Sequence, residues 1–212
     1  MDGVIIDSEP LHYEVNKEIF SEFDIEVSEK EYNSYIGTSN QEMWKKIVKR
    51  HNLSKKASDL ARLQQQKNLE HLINGKVELM DNIIELLDDL KNSNLELALG
   101  SSSPKKLINE VIENFNIKNY FKIVRSGENV REGKPAPDLF LKIAEELDIK
   151  PKKIVVIEDS HNGVKAAKKA GMNCIGFVNE NSGNQDLSIA DFIIDDFSQL
   201  SKDKLKNFDN TQ

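Results

Sequence analysis

From Val77 onward the chain alternates short strand-like runs with segments of helical periodicity, and few folds can satisfy that order. The strand-like runs lie at 95–99, 123–125, 154–157, 174–177 and 192–194. Helical stretches fall near 82–90, from Ser103-Pro104 with Ser103 as N-cap and Pro104 in the first turn, near 138–147 and at 162–170, the last stopped by Gly171. Leu107, Ile108, Val111, Ile112 and Phe115 give the second of these helices its buried face. Runs buried on both faces and separated by helices predict a doubly wound parallel α/β sheet of Rossmann-like type. Such sheets bind ligands at the carboxyl ends of their strands.

The stretch from Leu11 to Ile73 follows a different pattern. Leu11, Val15, Ile19 and Phe23 recur every four residues as one apolar stripe. Ser39 with Glu42 reads as a capping box ahead of Met43, Trp44, Ile47 and Val48. A third helix is expected over 57–73, and no strand is evident. The 212 residues suffice for one domain with an inserted all-helical unit.

Composition narrows the function classes. The net charge of −7 argues against a nucleic-acid partner and requires any phosphate site to be locally positive. No apolar run approaches membrane-spanning length, and the first residues do not read as a signal peptide. The single Cys174 cannot form an internal disulfide, which fits a reducing, cytoplasmic setting.

Candidate chemistry gathers after the strands. Gly100, Ser101, Ser102 and Ser103 precede a helix start, where backbone N–H groups can meet an anion; an ordinary Ser-capped turn accounts for them equally well. In Lys134-Pro135-Ala136-Pro137-Asp138, two prolines stiffen the backbone around one lysine, which is either a fixed cation for phosphate or a surface residue before a helix. Glu158 and Asp159 follow a wholly apolar run, and such a pair calls for a cation; hard oxygen ligands suit magnesium. Asp2 adds a carboxylate in a turn. Together, Asp2, Ser101, Lys134 and Glu158-Asp159 form a phosphoryl-transfer set. A response-regulator receiver uses similar residue types but places its acidic pair first and its lysine last.

With these residues in view, the sequence resembles the haloacid dehalogenase superfamily, in its β-phosphoglucomutase-like branch of phosphatases and phosphomutases with a helical cap. Asp2-Gly3-Val4-Ile5-Ile6-Asp7-Ser8-Glu9-Pro10-Leu11-His12 matches the first family motif from its second aspartate. Leu97-Ala98-Leu99-Gly100-Ser101-Ser102-Ser103 matches the second motif, and Lys134-Pro135-Ala136-Pro137-Asp138 the third. Val156-Ile157-Glu158-Asp159-Ser160-His161-Asn162-Gly163 matches the fourth. The resemblance implies a core over 1–8 and 76–212 and a cap over 9–75. It implies Asp2 as general acid/base, with Ser101 and Lys134 holding the phosphoryl group. Asp2, Glu158 and Asp159 would bind Mg2+. His12, Gly37, Thr38, Lys67, Ser102 and Lys105 are the implied substrate-side residues. A small phosphorylated metabolite is the implied partner, and a monomer the implied state.

Two departures matter. The family's nucleophilic aspartate stands two positions before Asp2, outside residues 1–212, and so does the apolar strand carrying it. Absence of that central strand removes roughly five buried side chains at ~1.5–3 kcal/mol each, against a net stability of ~5–15 kcal/mol. It also leaves two interior sheet edges unpaired. The expectation is a chain truncated from a longer enzyme, or a non-catalytic binder. In addition, Ile36 and Asn40 stand where mutases carry Lys and Arg for a second phosphate. A monophosphate phosphatase is therefore favoured over a β-phosphoglucomutase-type enzyme.

Overall fold

In the computed structural model, which describes residues 1–35, 40–75 and 77–208, the chain opens with a tight turn. The Met1 carbonyl accepts the N–H groups of Val4, Ile5 and Ile6, and Gly3 takes a φ of +69° to allow it. Strand β1 (Ile6–Asp7) follows. The chain then enters α1 (Glu9–Glu22), with Pro10 in the first turn, where its missing N–H is harmless.

Helix α1 buries Leu11, Val15, Ile19 and Phe20, which confirms the apolar stripe; Phe23 packs against the core from the helix end. Helix α2 (Glu29–Asn33) is capped by the Ser28 hydroxyl, which accepts from the Glu31 N–H. Helices α3 (Asn40–Arg50) and α4 (Ala57–Ile73) complete the helical unit. Fully buried Trp44 donates its indole N–H to Gln64 Oε1 at 2.8 Å, which ties α3 to α4. The Ser39 half of the expected capping box lies outside the described residues. Strand β2 (Glu78–Leu79) returns antiparallel to β1, with Ile6 opposite Leu79. The two strands form a narrow neck between the helical unit and the rest.

The remainder alternates as the sequence predicts. In order come α5 (Ile83–Lys91), β3 (Ala98–Ser101), α6 (Lys105–Asn114), β4 (Ile123–Ser126) and α7 (Asp138–Leu147). They are followed by β5 (Val155–Glu158), α8 (His161–Lys169), β6 (Asn173–Phe177), β7 (Phe192–Ile194) and the short α9 (Lys202–Lys206). Gly171, at φ +72°, ends α8 as a left-handed stop. Two corrections concern boundaries. Strand β3 begins three residues later than the apolar run from Leu95, and α6 begins at Lys105 instead of being capped by Ser103.

The sheet is parallel but divided. Strand β3 pairs with β4, with Ser101 opposite Ser126, while β5 pairs with β6 and β6 with β7. Among the described residues, β3 and β5 do not pair with each other. Between them lies a cavity of about 480 Å³, lined by Leu86, Leu97, Leu99, Phe140, Ile143 and Val156 among others. The expectation of two unpaired interior edges is met by this arrangement. No helix among the described residues is long and apolar enough to cross a membrane. Cys174 is buried in β6, and burial pushes its thiol up to about 12, so it packs as a small apolar side chain.

Candidate active site

The carboxyl ends of β3 and β5 meet the opening turn, and the sequence-predicted residues converge there. Asp2 is half-buried, and its Oδ2 accepts hydroxyl hydrogen bonds from Ser101 at 3.0 Å and Ser103 at 2.8 Å. Burial works against charge on Asp2. The Met1 amino group, His12 and the two serine hydroxyls outweigh it and hold the carboxyl below its ordinary range. Ser103 was expected to cap α6. Its hydroxyl instead faces Asp2, and Pro104 precedes the helix with no side-chain cap. The N-terminus of α6 is served by Glu128, whose Oε2 accepts the Lys105 N–H at 2.8 Å.

Lys134 reaches the site from the loop before α7. Its ammonium is paired with Glu158, with both side chains nearly buried, and lies 5.1 Å from the Phe140 ring centroid. Burial raises the Glu158 carboxyl, but Lys134, the Met1 amino group and Ser160 overcome this and hold it below its usual range. Ser160 also accepts the Gly163 N–H at 3.1 Å, capping α8. Asp159 behaves oppositely. Burial and the neighbouring Glu158 charge push its carboxyl up to about 6, against the opposing pull of Ser182. Two glycines make room for these carboxylates. A β-carbon on Gly3 would lie 2.0 Å from Asp159 Oδ2, and one on Gly163 would lie 1.9 Å from Glu158 Oε2.

Three residues that the sequence reading passed over close the site from the loop after β6. Asn179 is buried and donates to the Gly3 carbonyl at 3.2 Å. Asn181 donates to Asp7 Oδ2 at 2.7 Å, and Ser182 donates to Asp159 Oδ2 at 2.7 Å. The signal was present: Asn179-Glu180-Asn181-Ser182-Gly183 is a turn cluster directly after a predicted strand.

The other sequence candidates are dispersed. Ser102 and Lys105 sit beside the site with exposed side chains. Gly37 and Thr38 lie outside the described residues. His12, on α1, meets Asn68 of α4, its Nδ1 standing 3.0 Å from Asn68 Nδ2. Lys67 does not join them. Its ammonium lies 3.4 Å from Glu18 and 3.7 Å from Glu22, on another face of α4.

No cluster of three or more His, Cys, Asp and Glu side chains forms a metal site among the described residues. The donors present nonetheless fit a hard divalent cation. Glu158 and Asp159 are adjacent oxygen donors, burial and the Glu158 charge keep Asp159 from ionising freely, and glycines at 3 and 163 leave space where a β-carbon would intrude.

The profile described as haloacid dehalogenase-like hydrolase matches residues 1–177. A phosphorylated carbohydrates phosphatase of Thermotoga maritima is 28% identical over 176 residues, which cover 82% of this chain and 81% of that protein. A β-phosphoglucomutase of Bacillus subtilis is 28% identical over 211 residues, covering 97% and 91%. Among solved structures, CbbY from Rhodobacter sphaeroides in complex with phosphate superposes with a TM-score of 0.81 at 25% identity, over 94% of this chain and 93% of that one.

Proposed function

Because the chain belongs to the haloacid dehalogenase-like hydrolases, we propose that its site serves Mg2+-dependent hydrolysis of a small phosphorylated carbohydrate. The observation that carries this reading is the convergence of Asp2, Ser101, Lys134, Glu158 and Asp159 at one mouth of the sheet. In this reading Asp2 moves a proton on and off the ester oxygen. The hydroxyl of Ser101 and the ammonium of Lys134 leave their present carboxylate partners to hold phosphoryl oxygens. Glu158, Asp159 and the Asp2 carbonyl hold Mg2+. When bound, the ion neutralises charge on the phosphoryl oxygens. Helices α1–α4 serve as a cap, and the β1–β2 neck as its hinge.

The family's attacking carboxylate stands two positions ahead of Asp2, outside residues 1–212. Asp7 does not replace it, because it pairs in β1 and its Oδ2 accepts from Asn181. The covalent step is therefore assigned to no residue here. Hydrolysis is favoured over the mutase reaction by Ile36 and Asn40, which offer a second phosphate no charge.

The deciding experiment supplies Mg2+ and a panel of hexose and pentose monophosphates, and follows both orthophosphate and isomerised sugar. Orthophosphate release is expected of a chain that carries the aspartate two positions ahead of Asp2. Conversion of β-glucose 1-phosphate to glucose 6-phosphate without release would overturn the hydrolase reading. Binding of Mg2+ and phosphate with no turnover would identify a non-catalytic receptor.

A further inference from the structure

The turn after β6 is built on its own hydrogen bonds. Asn179 Oδ1 accepts the Asn181 N–H at 2.9 Å, the Asn179 carbonyl accepts the Ser182 N–H at 3.1 Å, and Gly183 at φ +68° closes the turn. So fixed, it presents two side-chain donors, on Asn179 and Ser182, which are only 5% and 4% exposed. They reach two different parts of the candidate site. Asn179 Nδ2 donates to the Gly3 carbonyl at 3.2 Å, and Ser182 Oγ donates to Asp159 Oδ2 at 2.7 Å. Both ends of the Asn179 amide agree on its orientation, because its oxygen meets an N–H and its nitrogen meets a carbonyl. Backbone pairing already holds β6 between β5 and β7, so neither donor is needed to place that strand.

We propose that Ser182 is a positioning residue for the divalent cation, which orients Asp159 by occupying Oδ2 and leaving Oδ1 to the ion. Two observations agree on that division of the carboxylate. Oδ2 is the oxygen closer to Gly3, where a β-carbon would lie 2.0 Å from it and 3.1 Å from Oδ1. Oδ1 accepts no hydrogen bond among the described residues. A carboxylate held through one oxygen cannot swing freely about its Cβ–Cγ bond, so the other oxygen keeps one direction. Asn179 does the matching service on the opposite side. By holding the Gly3 carbonyl it fixes the peptide next to Asp2, whose carbonyl is the third proposed ligand. One short turn thus sets the spacing between two ligand-bearing segments that are far apart in sequence. Partners of this kind, one bond removed from the ion, govern metal affinity through the geometry of the ligands. The inference rests on the cation part of the hydrolase reading.

The test is a calorimetric titration of the chain with Mg2+ alone, with no substrate present. Ser182→Ala is expected to weaken Mg2+ binding by about 10–100-fold. Ser182→Thr, which keeps the hydroxyl, is expected to bind as the wild type does. Asn181→Ala, which removes the contact to Asp7 from the next position of the same turn, is expected to leave the affinity unchanged. Thermal melts without Mg2+ separate a loss of fold from a loss of affinity. Should the alanine variant not fold, Ser182→Cys, of similar shape but only a weak donor, carries the same expectation. Unchanged affinity in Ser182→Ala, beside a wild type that binds, would overturn this inference alone. So would an equal loss in Ser182→Thr or Asn181→Ala, because the effect would then belong to the packing of the turn and not to the hydroxyl. A wild-type chain that binds no Mg2+ would overturn the cation part of the hydrolase reading and this inference with it.

Discussion

A β-carbon placed on Gly3 would lie 2.0 Å from Asp159 Oδ2 and 3.1 Å from Oδ1, so the opening turn and the end of β5 touch through the absence of a side chain. The same glycine sits at φ +69°, which L-residues adopt at a penalty of about 1–2 kcal/mol. Its two roles can be separated with Gly75, which has φ +73° and open space around it.

Gly75→Ala is expected to lower stability by about 1–2 kcal/mol, the conformational penalty alone. Gly3→Ala is expected to exceed that by at least ~1–3 kcal/mol, because Asp159 must also move. Urea denaturation of the two variants measures the difference. Equal losses would mean that Asp159 yields freely.

The ion pair of Lys134 and Glu158 is nearly buried, so removing one partner leaves an uncompensated charge. Lys134→Met is expected to be destabilising by about 3–5 kcal/mol. Lys134→Met combined with Glu158→Gln is expected to recover much of that loss. A double-mutant cycle by chemical denaturation provides the test, and additive losses would contradict it.

Stability should fall as pH rises from about 4 to 6. Asp159 has its folded-state carboxyl pushed up to about 6, so over this window the folded chain keeps a proton that the unfolded chain has released. The accumulated penalty above pH 6 is on the order of 3 kcal/mol. Asp2 and Glu158 carry the opposite sign. Their stabilisation is present above the ordinary carboxylate range and is lost at lower pH, as each falls through its depressed folded value. Asp159→Asn is expected to remove the decline between pH 4 and 6 and to raise the Tm at pH 7. Thermal melts across that range would show it.

Millimolar Mg2+ is expected to raise the Tm of the wild-type chain at pH 7, and this gain is expected to shrink in Asp159→Asn. An equal gain in both proteins would place the ion elsewhere.

How much of this was legible depended on the kind of signal. The α/β alternation and the ends of α4 and α7 followed from periodicity, which is local. The convergence of Asp2, Ser101, Lys134, Glu158 and Asp159 followed from one topological rule, that parallel strands share a functional end. Ser103 was misread because Ser before Pro signals a helix cap in isolation, and only the fold brings Asp2 to its hydroxyl. Asn68 was missed in favour of Lys67 because adjacent helical positions point about 100° apart, and the facing of α4 toward α1 is a matter of packing. Glu128 caps α6 from 23 residues away, which no local pattern records.

The cavity between β3 and β5 has a consequence for how the protein breathes. Backbone hydrogen bonds do not cross that line among the described residues, so the β3–β4 pair and the β5–β7 trio are joined there by side chains alone. Segments that share no ladder tend to open as separate cooperative units. Amide hydrogen exchange should therefore resolve two blocks with different opening free energies. The slow amides should lie where β6 is flanked on both sides, and the fast ones along the facing edges of β3 and β5. The mouth of the candidate site draws residues from both blocks, so its geometry lasts only while the two are closed together.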